Sequence, residues 1–180
     1  MKGIKGLLKI SITATTFGII VPLIILLIEH LIHAHRIITS SLVLFAIGAF
    51  IALIGLIFFV LTIKSKYRMI ENGWEPVAYD NVWNPPKKLV LAGMYCRVRN
   101  PMVLGEILIQ AGGAILFASD GIAVFAVLYF ILHTVYFLRV AEPNLEKRFG
   151  RDYIDYKKHV ARWIPKLRQW KPVIILFCKE

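Results

Sequence analysis

Residues 41–63 read SLVLFAIGAFIALIGLIFFVLTI, 23 positions without a single charge. At about 1.5 Å of rise per residue, such a helix crosses the roughly 30 Å hydrocarbon core of a bilayer. In lipid the backbone must satisfy its own hydrogen bonds, so a spanning segment of this kind is helical. Gly48 and Gly55 lie seven apart on one helix face, where small residues permit close helix packing. Three further apolar runs flank this one, at 10–28, 102–119 and 122–140. The expectation is an all-α membrane protein: one domain over residues 1–180, four transmembrane helices, a connector at 64–101 and a tail at 141–180. Apolar residues make up 58% of the 180-residue chain, above the roughly 45–50% of soluble domains, and the excess lies in these runs.

The first run follows three lysines, as in a signal peptide. It is long for that role and no small-residue cleavage site follows, so it reads as a first transmembrane helix. Pro22 kinks it or marks a packing contact. A net charge of +11 raises the question of nucleic acid, but the basic residues flank the apolar runs as juxtamembrane lysines and arginines do. With four spans, 21 of the 22 Lys and Arg fall on one side and Arg36 alone on the other. The positive-inside rule then puts both termini and the connector in the cytoplasm. Cys96 and Cys178, two and far apart, point to neither a disulfide framework nor a zinc site. His30, His33 and His35 sit in a polar stretch, Glu29 to Arg36, that reads as an interfacial loop; no metal site is expected.

The connector carries Gly73, Pro76, Pro85 and Pro86, and its Trp74, Tyr79 and Trp83 suit the headgroup level. It reads equally as an interfacial loop or as a lid over a site. In the third run Glu106 and Gln110, four apart, share a face that should point into the bundle. Gly105, Gly112 and Gly113 serve close packing or ligand approach. Asp120-Gly121 is a tight-turn signal, and His133 reads as a buried, hydrogen-bonded side chain. In the tail, Pro143 suits a helix start, and Leu145, Phe149, Tyr153 and Tyr156 form one amphipathic face. Trp163, Ile164 and Pro165 stop that helix. Val173 to Cys178 is too short to span; it docks on the bundle or dips into the interface.

Chemistry concentrates in two stretches. Tyr95 to Gly105 is basic, with Arg97 and Arg99 at the mouth of the run that carries Glu106. An ionisable residue inside a membrane segment is a functional candidate by default, because it costs about 2.5–3.5 kcal/mol even on lenient scales. Glu142 to Pro165 is the second stretch, and the expectation is that the two form one site. No phosphate loop, dinucleotide fingerprint, zinc-protease helix or nucleophile elbow is present.

These stretches resemble the integral-membrane methyltransferases of the isoprenylcysteine carboxyl methyltransferase type and the related phospholipid N-methyltransferases. Asn84-Pro85-Pro86-Lys87-Lys88-Leu89-Val90 leads into Gly93-Met94-Tyr95. Arg99-Asn100-Pro101-Met102 with Gly105 is similar to that family's Arg-His/Asn-Pro-x-x-x-Gly. Glu142-Pro143, Leu145, Phe149-Gly150, Tyr153, Tyr156 and Arg162-Trp163-Ile164-Pro165 resemble its carboxy-terminal signature. The resemblance implies S-adenosylmethionine as methyl donor, bound at the cytoplasmic face, and a lipophilic acceptor entering from the bilayer. It implies cofactor contacts at Leu89, Val90, Tyr95, Asn100, Pro101, Gly105, Glu142 and Tyr153, and catalytic roles for Arg99, Arg139 and Glu142. The chain departs from the family pattern at Ala141, where relatives often have a second Glu, and at Val103, where a Tyr is common. An NADPH-dependent membrane reductase of the sterol-reductase type, with a similar Arg-x-Pro motif, and a non-catalytic scaffold of the same fold are the competing readings.

Overall fold

A computed structural model describes residues 18, 20–33, 41–71, 89 and 91–168. All regular structure among them is helical. The elements are α1 (Val21–His33), α2 (Leu42–Glu71), a short 3-10 turn (Gly93–Cys96), α3 (Pro101–Leu116), α4 (Asp120–Tyr136), a π-turn (Phe137–Ala141), α5 (Glu142–Phe149) and α6 (Arg151–His159). Among the described residues two helical runs are long and apolar enough to cross a membrane, Leu42–Met69 and Asp120–Phe149; Val21–Ile32 and Pro101–Leu116 are apolar but shorter. Large side chains stay exposed along them, including Leu23, Leu27, Leu31, Phe50, Leu53, Val124, Val127 and Leu132. Water would penalise so much open apolar surface, whereas lipid matches it.

The chain divides into two compact units, Ser11–Phe59 with Val103–His133, and Met1–Ile10 with Val60–Met102 and Thr134–Glu180. In the first, α2 and α3 meet through glycines. A Cβ built on Gly55 would stand 2.7 Å from the Gly105 carbonyl and the Ile109 nitrogen, and one on Gly112 2.6 Å from the Gly48 carbonyl. Backbone thus approaches backbone, as the spacing of Gly48 and Gly55 predicts. Glu29 ties α1 to the turn before α4. It accepts from Ser119 Oγ at 2.6 Å and from the Gly121 N–H at 2.8 Å. The expected loop at Glu29 to Arg36 is therefore corrected: α1 runs on to His33, and the carboxylate that made the stretch look polar has a helix-capping job. The turn expected at Asp120-Gly121 lies earlier, at Phe117–Ser119, with Ala118 at φ 47°. Ser119 Oγ accepts the Ile122 N–H at 3.0 Å, an N-cap that starts α4 at Asp120.

The second unit contains the last turns of α2. The sequence reading ended that helix at Ile63, where charge begins, but it continues to Glu71. Charge does not end a helix; a breaker does, and none occurs before Gly73. Thr62, Ser65, Lys66 and Met69, spaced as one helix face, are all buried. Ser65 Oγ accepts the Met94 N–H at 3.2 Å and occupies the place a side chain on Gly93 would need, in a residue at φ 56°. Lys66 Nζ lies 3.1 Å from Met102 Sδ.

The tail differs from expectation in its helix boundaries. Pro143 stands in the first turn of α5, as expected, but α5 follows α4 without a break, through the π-turn in which the Glu142 N–H returns to the Phe137 carbonyl. A proline interrupts the regular ladder because it lacks an N–H and crowds the preceding turn, and a widened turn accommodates that. The amphipathic helix through Tyr156 is also broken, at Gly150, whose φ of 54° ends α5. The apolar face survives the break. Leu145 and Phe149 from α5 and Tyr153 and Tyr156 from α6 pack on one cluster with Leu89, Leu91, Tyr95, Cys96 and Val160. Cys96 is fully buried and disulfide-bonded, although two cysteines so far apart in sequence suggested no disulfide framework.

Candidate active site

The second unit gathers charge around one carboxylate. Glu142, at the start of α5, is 3% exposed. Its Oε1 accepts from Arg99 Nη1 and from Arg162 Nε, each at 2.8 Å, and its Oε2 accepts from Arg162 Nη2 at 2.8 Å. Arg162 is therefore a two-pronged partner, the geometry in which a guanidinium binds a carboxylate most strongly. Lys157 Nζ stands 3.7 Å from Oε2 and pairs with Glu146 as well. A buried carboxylate without partners would be very costly, and this one has three cations around it.

Two backbone features bring these groups together. The π-turn sets Ala141 and Glu142 side by side as buried residues below Phe137. The segment after α6 lies along Arg97–Arg99. The Arg99 N–H donates to the Ala161 carbonyl at 2.9 Å, and the Lys166 N–H to the Arg97 carbonyl at 3.0 Å. Trp163 adds an edge contact to Phe137, ring centres 5.7 Å apart. Arg162 is thus fixed between two backbone pairings, which holds its guanidinium at Glu142.

Tyr153 is buried within the electrostatic reach of Glu142 and Arg99. Burial pushes its hydroxyl well above the usual tyrosine range; the Glu142 charge adds to this and Arg99 opposes it. Tyr156 moves the same way, by burial first and then by Tyr153 and Tyr95. Its hydroxyl donates to the Tyr95 carbonyl at 2.8 Å. Neither phenol is a proton donor or base near neutral pH. Each acts as a neutral hydrogen-bonding and aromatic wall.

Of the residues expected to form the site, the structure brings together Arg99, Glu142 and Tyr153, with Leu89 and Tyr95 in the adjoining apolar cluster. Asn100 and Pro101 are buried, Pro101 as the first residue of α3. Val90 lies outside the described residues, as do Asn84 to Lys88 of the motif. Gly105 belongs to the other unit, where it packs backbone-to-backbone on α2. Arg139 is exposed on the π-turn and is not among the partners of Glu142. Sequence reasoning missed Arg162 and Lys157. Arg162 stood in the quoted carboxy-terminal signature, 20 residues from Glu142, and its basic charge opposite a lone buried-type glutamate was the available signal. Glu106, on α3, has its own partner, the Tyr129 hydroxyl, and His133 Nδ1 lies 2.9 Å from the Tyr129 carbonyl. Among the described residues no group of three His, Cys, Asp or Glu could hold a metal ion.

Comparison with curated proteins and with solved structures gives no match. The family model for phospholipid methyltransferases matches residues 37–152. That match takes in α2 to α5, and with them Arg99, Asn100, Pro101 and Glu142. It covers more than half of the sequence and the centre of the charged cluster, and the chain belongs to the phospholipid methyltransferase family, within the isoprenylcysteine carboxyl methyltransferase-type group of membrane methyltransferases.

Proposed function

We propose that this protein transfers a methyl group from S-adenosylmethionine to a lipophilic acceptor at the cytoplasmic face of its membrane, the acceptor being an isoprenylcysteine-like carboxylate or a lipid headgroup. The observation that carries the reading is the buried Glu142 held between Arg99 and Arg162. When bound, the cofactor supplies an electrophilic methyl group on a sulfonium. The donor set fits its zwitterionic end. Among the described residues Arg99 Nε is buried with no hydrogen-bond partner, a donor suited to a carboxylate. Glu142 Oε2 accepts one close bond, and a carboxylate oxygen has room for a second, from an ammonium or a ribose hydroxyl. The faces of Tyr95 and Tyr153 suit adenine or the sulfonium.

The chain's own groups then bind, orient and exclude water. Methyl transfer asks for in-line approach in a dry site more than for acid–base help, so positioning dominates. The arrangement agrees, since both buried phenols stay neutral. Arg139, exposed three positions before Glu142, is offered as the contact for an anionic acceptor. The reading also takes 1–180 as one methyltransferase domain with four spans, α1 and α3 completing the set.

Thermal unfolding of the purified protein with S-adenosylmethionine, S-adenosylhomocysteine or NADPH tests the reading. The first two should raise the midpoint, by an amount equivalent to about 2.7 kcal/mol at a hundredfold excess over Kd. Glu142→Ala should erase the rise while circular dichroism keeps its helical signal. A rise with NADPH alone overturns the proposal, and an undiminished response in Glu142→Ala removes Glu142 from the site.

A further inference from the structure

The irregular stretch after α6, Arg162 to Arg168, is fastened in place but left uncovered. The Lys166 N–H donates to the Arg97 carbonyl at 3.0 Å, and Arg97 Nη1 donates to the Leu167 carbonyl. Backbone tied in this way holds its side chains at fixed positions. Ile164 is nevertheless 75% exposed and Leu167 94%, more than any other large apolar side chain described in the unit of Val60–Met102 and Thr134–Glu180. Neighbouring aliphatic side chains held outward and rimmed by charge mark an interaction surface.

The rim is positive. Lys166 and Arg168 flank Leu167 and are exposed, and Arg97 stands beside it. From Tyr156 to Lys179 the sequence holds seven Lys and Arg and neither Asp nor Glu. The packing of the unit also sets the level of the stretch. Trp163, next to Ile164, meets the Phe137 ring edge-on, ring centres 5.7 Å apart. Phe137 stands two residues before Arg139, the first Lys or Arg of the membrane-length run Asp120–Phe149. Leu138 and Val140, on either side of Arg139, are exposed. The stretch therefore lies where an apolar run meets its first cation, the level at which hydrocarbon gives way to headgroups.

We propose that Trp163–Arg168, with Arg97, is a docking surface for an anionic lipid bilayer. Ile164 and Leu167 enter the interface, and Lys166, Arg168 and Arg97 meet acidic headgroups. Interfacial binding of this kind adds buried apolar area to attraction for anionic lipid. A zwitterionic surface would answer the aliphatic side chains and leave the cations without counter-charge. The inference rests on the membrane setting of the family and does not depend on methyl transfer or on cofactor binding.

The test places a nitroxide side chain at Leu167, through Leu167→Cys, in nanodiscs of phosphatidylcholine with or without phosphatidylglycerol; the chain's own Cys96 is disulfide-bonded. Collisions with oxygen report lipid, and collisions with a water-soluble nickel chelate report water. With phosphatidylglycerol the label should meet oxygen. Without it, or in about 1 M salt, where the screening length is about 3 Å, the label should shift towards water. One cation near an acidic surface is worth about fivefold, so Lys166→Gln/Arg168→Gln should lower the ratio of docked to free about thirtyfold. A label in water in both membranes overturns the proposal. So does one in lipid in both, which leaves apolar insertion alone. A label shielded from both reagents overturns it too, and assigns the cover to residues 169–180 or to a second copy of the chain. Trypsin cleavage of the unlabelled wild type after Lys166 and Arg168 asks the same question without a variant. It should slow when phosphatidylglycerol is present, and equal rates in the two membranes overturn the proposal as well.

Discussion

At the scale of single residues, Arg162 governs whether Glu142 can stay charged and buried. It makes two of the three close bonds to that carboxylate. Arg162→Ala should lower stability by about 2–3 kcal/mol, because hydrogen bonds to buried charges are worth more than neutral ones and their loss leaves a desolvated carboxylate behind. Arg99 remains to limit the damage. Arg162→Lys should recover only part of it, since an ammonium is a point charge and cannot fork. Thermal unfolding of the three proteins checks the order, and an Arg162→Lys variant as stable as wild type would show that charge alone matters there. The buried phenols give a second prediction. Both Tyr153 and Tyr156 have folded-state pKa values raised above the ordinary 10.0. Below that pH both the folded and unfolded chains hold these protons. Above it the unfolded chain releases them first, so stability is lost as pH rises towards the folded values. The midpoint should therefore fall above about pH 10, and less steeply in a Tyr153→Phe/Tyr156→Phe double variant; parallel slopes would place these hydroxyls in solvent. Glu142, Arg99 and Tyr153 were legible from their motifs. Arg162 was not, because a motif records which residues occur in order and not which of them meet across 20 positions.

At the scale of elements, the helix faces explain both the glycine pattern and the boundaries the sequence misplaced. Gly112 and Gly113 are adjacent in sequence and opposite in consequence. A methyl on Gly112 would press on the Gly48 carbonyl and the Ala52 backbone, so Gly112→Ala should cost about 1–3 kcal/mol, as overpacking does. Gly113→Ala meets no described atom and should be neutral or stabilise by up to about 1 kcal/mol through helix propensity. Paired thermal melts in one detergent decide it, and equal losses in both would mean that the helix needs glycine for its conformation and not for contact. Composition identifies where a helix is apolar but not where it stops. The continuation of α2 through Lys64 to Glu71 was hidden by its charges, although Thr62, Ser65, Lys66 and Met69 already had helical spacing. The π-turn was hidden for the opposite reason. The proline at 143 marks the first turn of α5, and it gives no sign that the widened turn from Phe137 joins that helix to α4.

At the scale of the whole molecule, the balance of charge and apolar surface sets the relation to the membrane. Exposed Leu, Ile, Val and Phe side chains run along α1, α2 and α4, and two helical runs have membrane-crossing length. The helix α3 has 16 residues, about 24 Å at 1.5 Å per residue, short of a bilayer core of roughly 30 Å. In the proposed four-span arrangement, so short a span is accommodated by local thinning or by flanking side chains that reach the interface, at fractions of a kcal/mol per Å. Pairing through glycines on α2 offsets that cost by bringing backbones into contact. Orientation is then a matter of lysine and arginine, 21 of which lie on one side of a four-span arrangement and one on the other. Alkaline phosphatase, active only outside the cytoplasm, should be active when inserted after Ile38 or between Ala118 and Ser119. Green fluorescent protein, which matures in the cytoplasm, should fluoresce when fused after Glu180 or inserted near Gly73. Phosphatase activity at Gly73 would remove the cytoplasmic placement of Arg99 and with it the proposed access of a cytoplasmic cofactor. Activity at Ile38 without activity at Ala118 would leave the amino-terminal pair of spans in place and show that α3 and α4 do not cross as a hairpin.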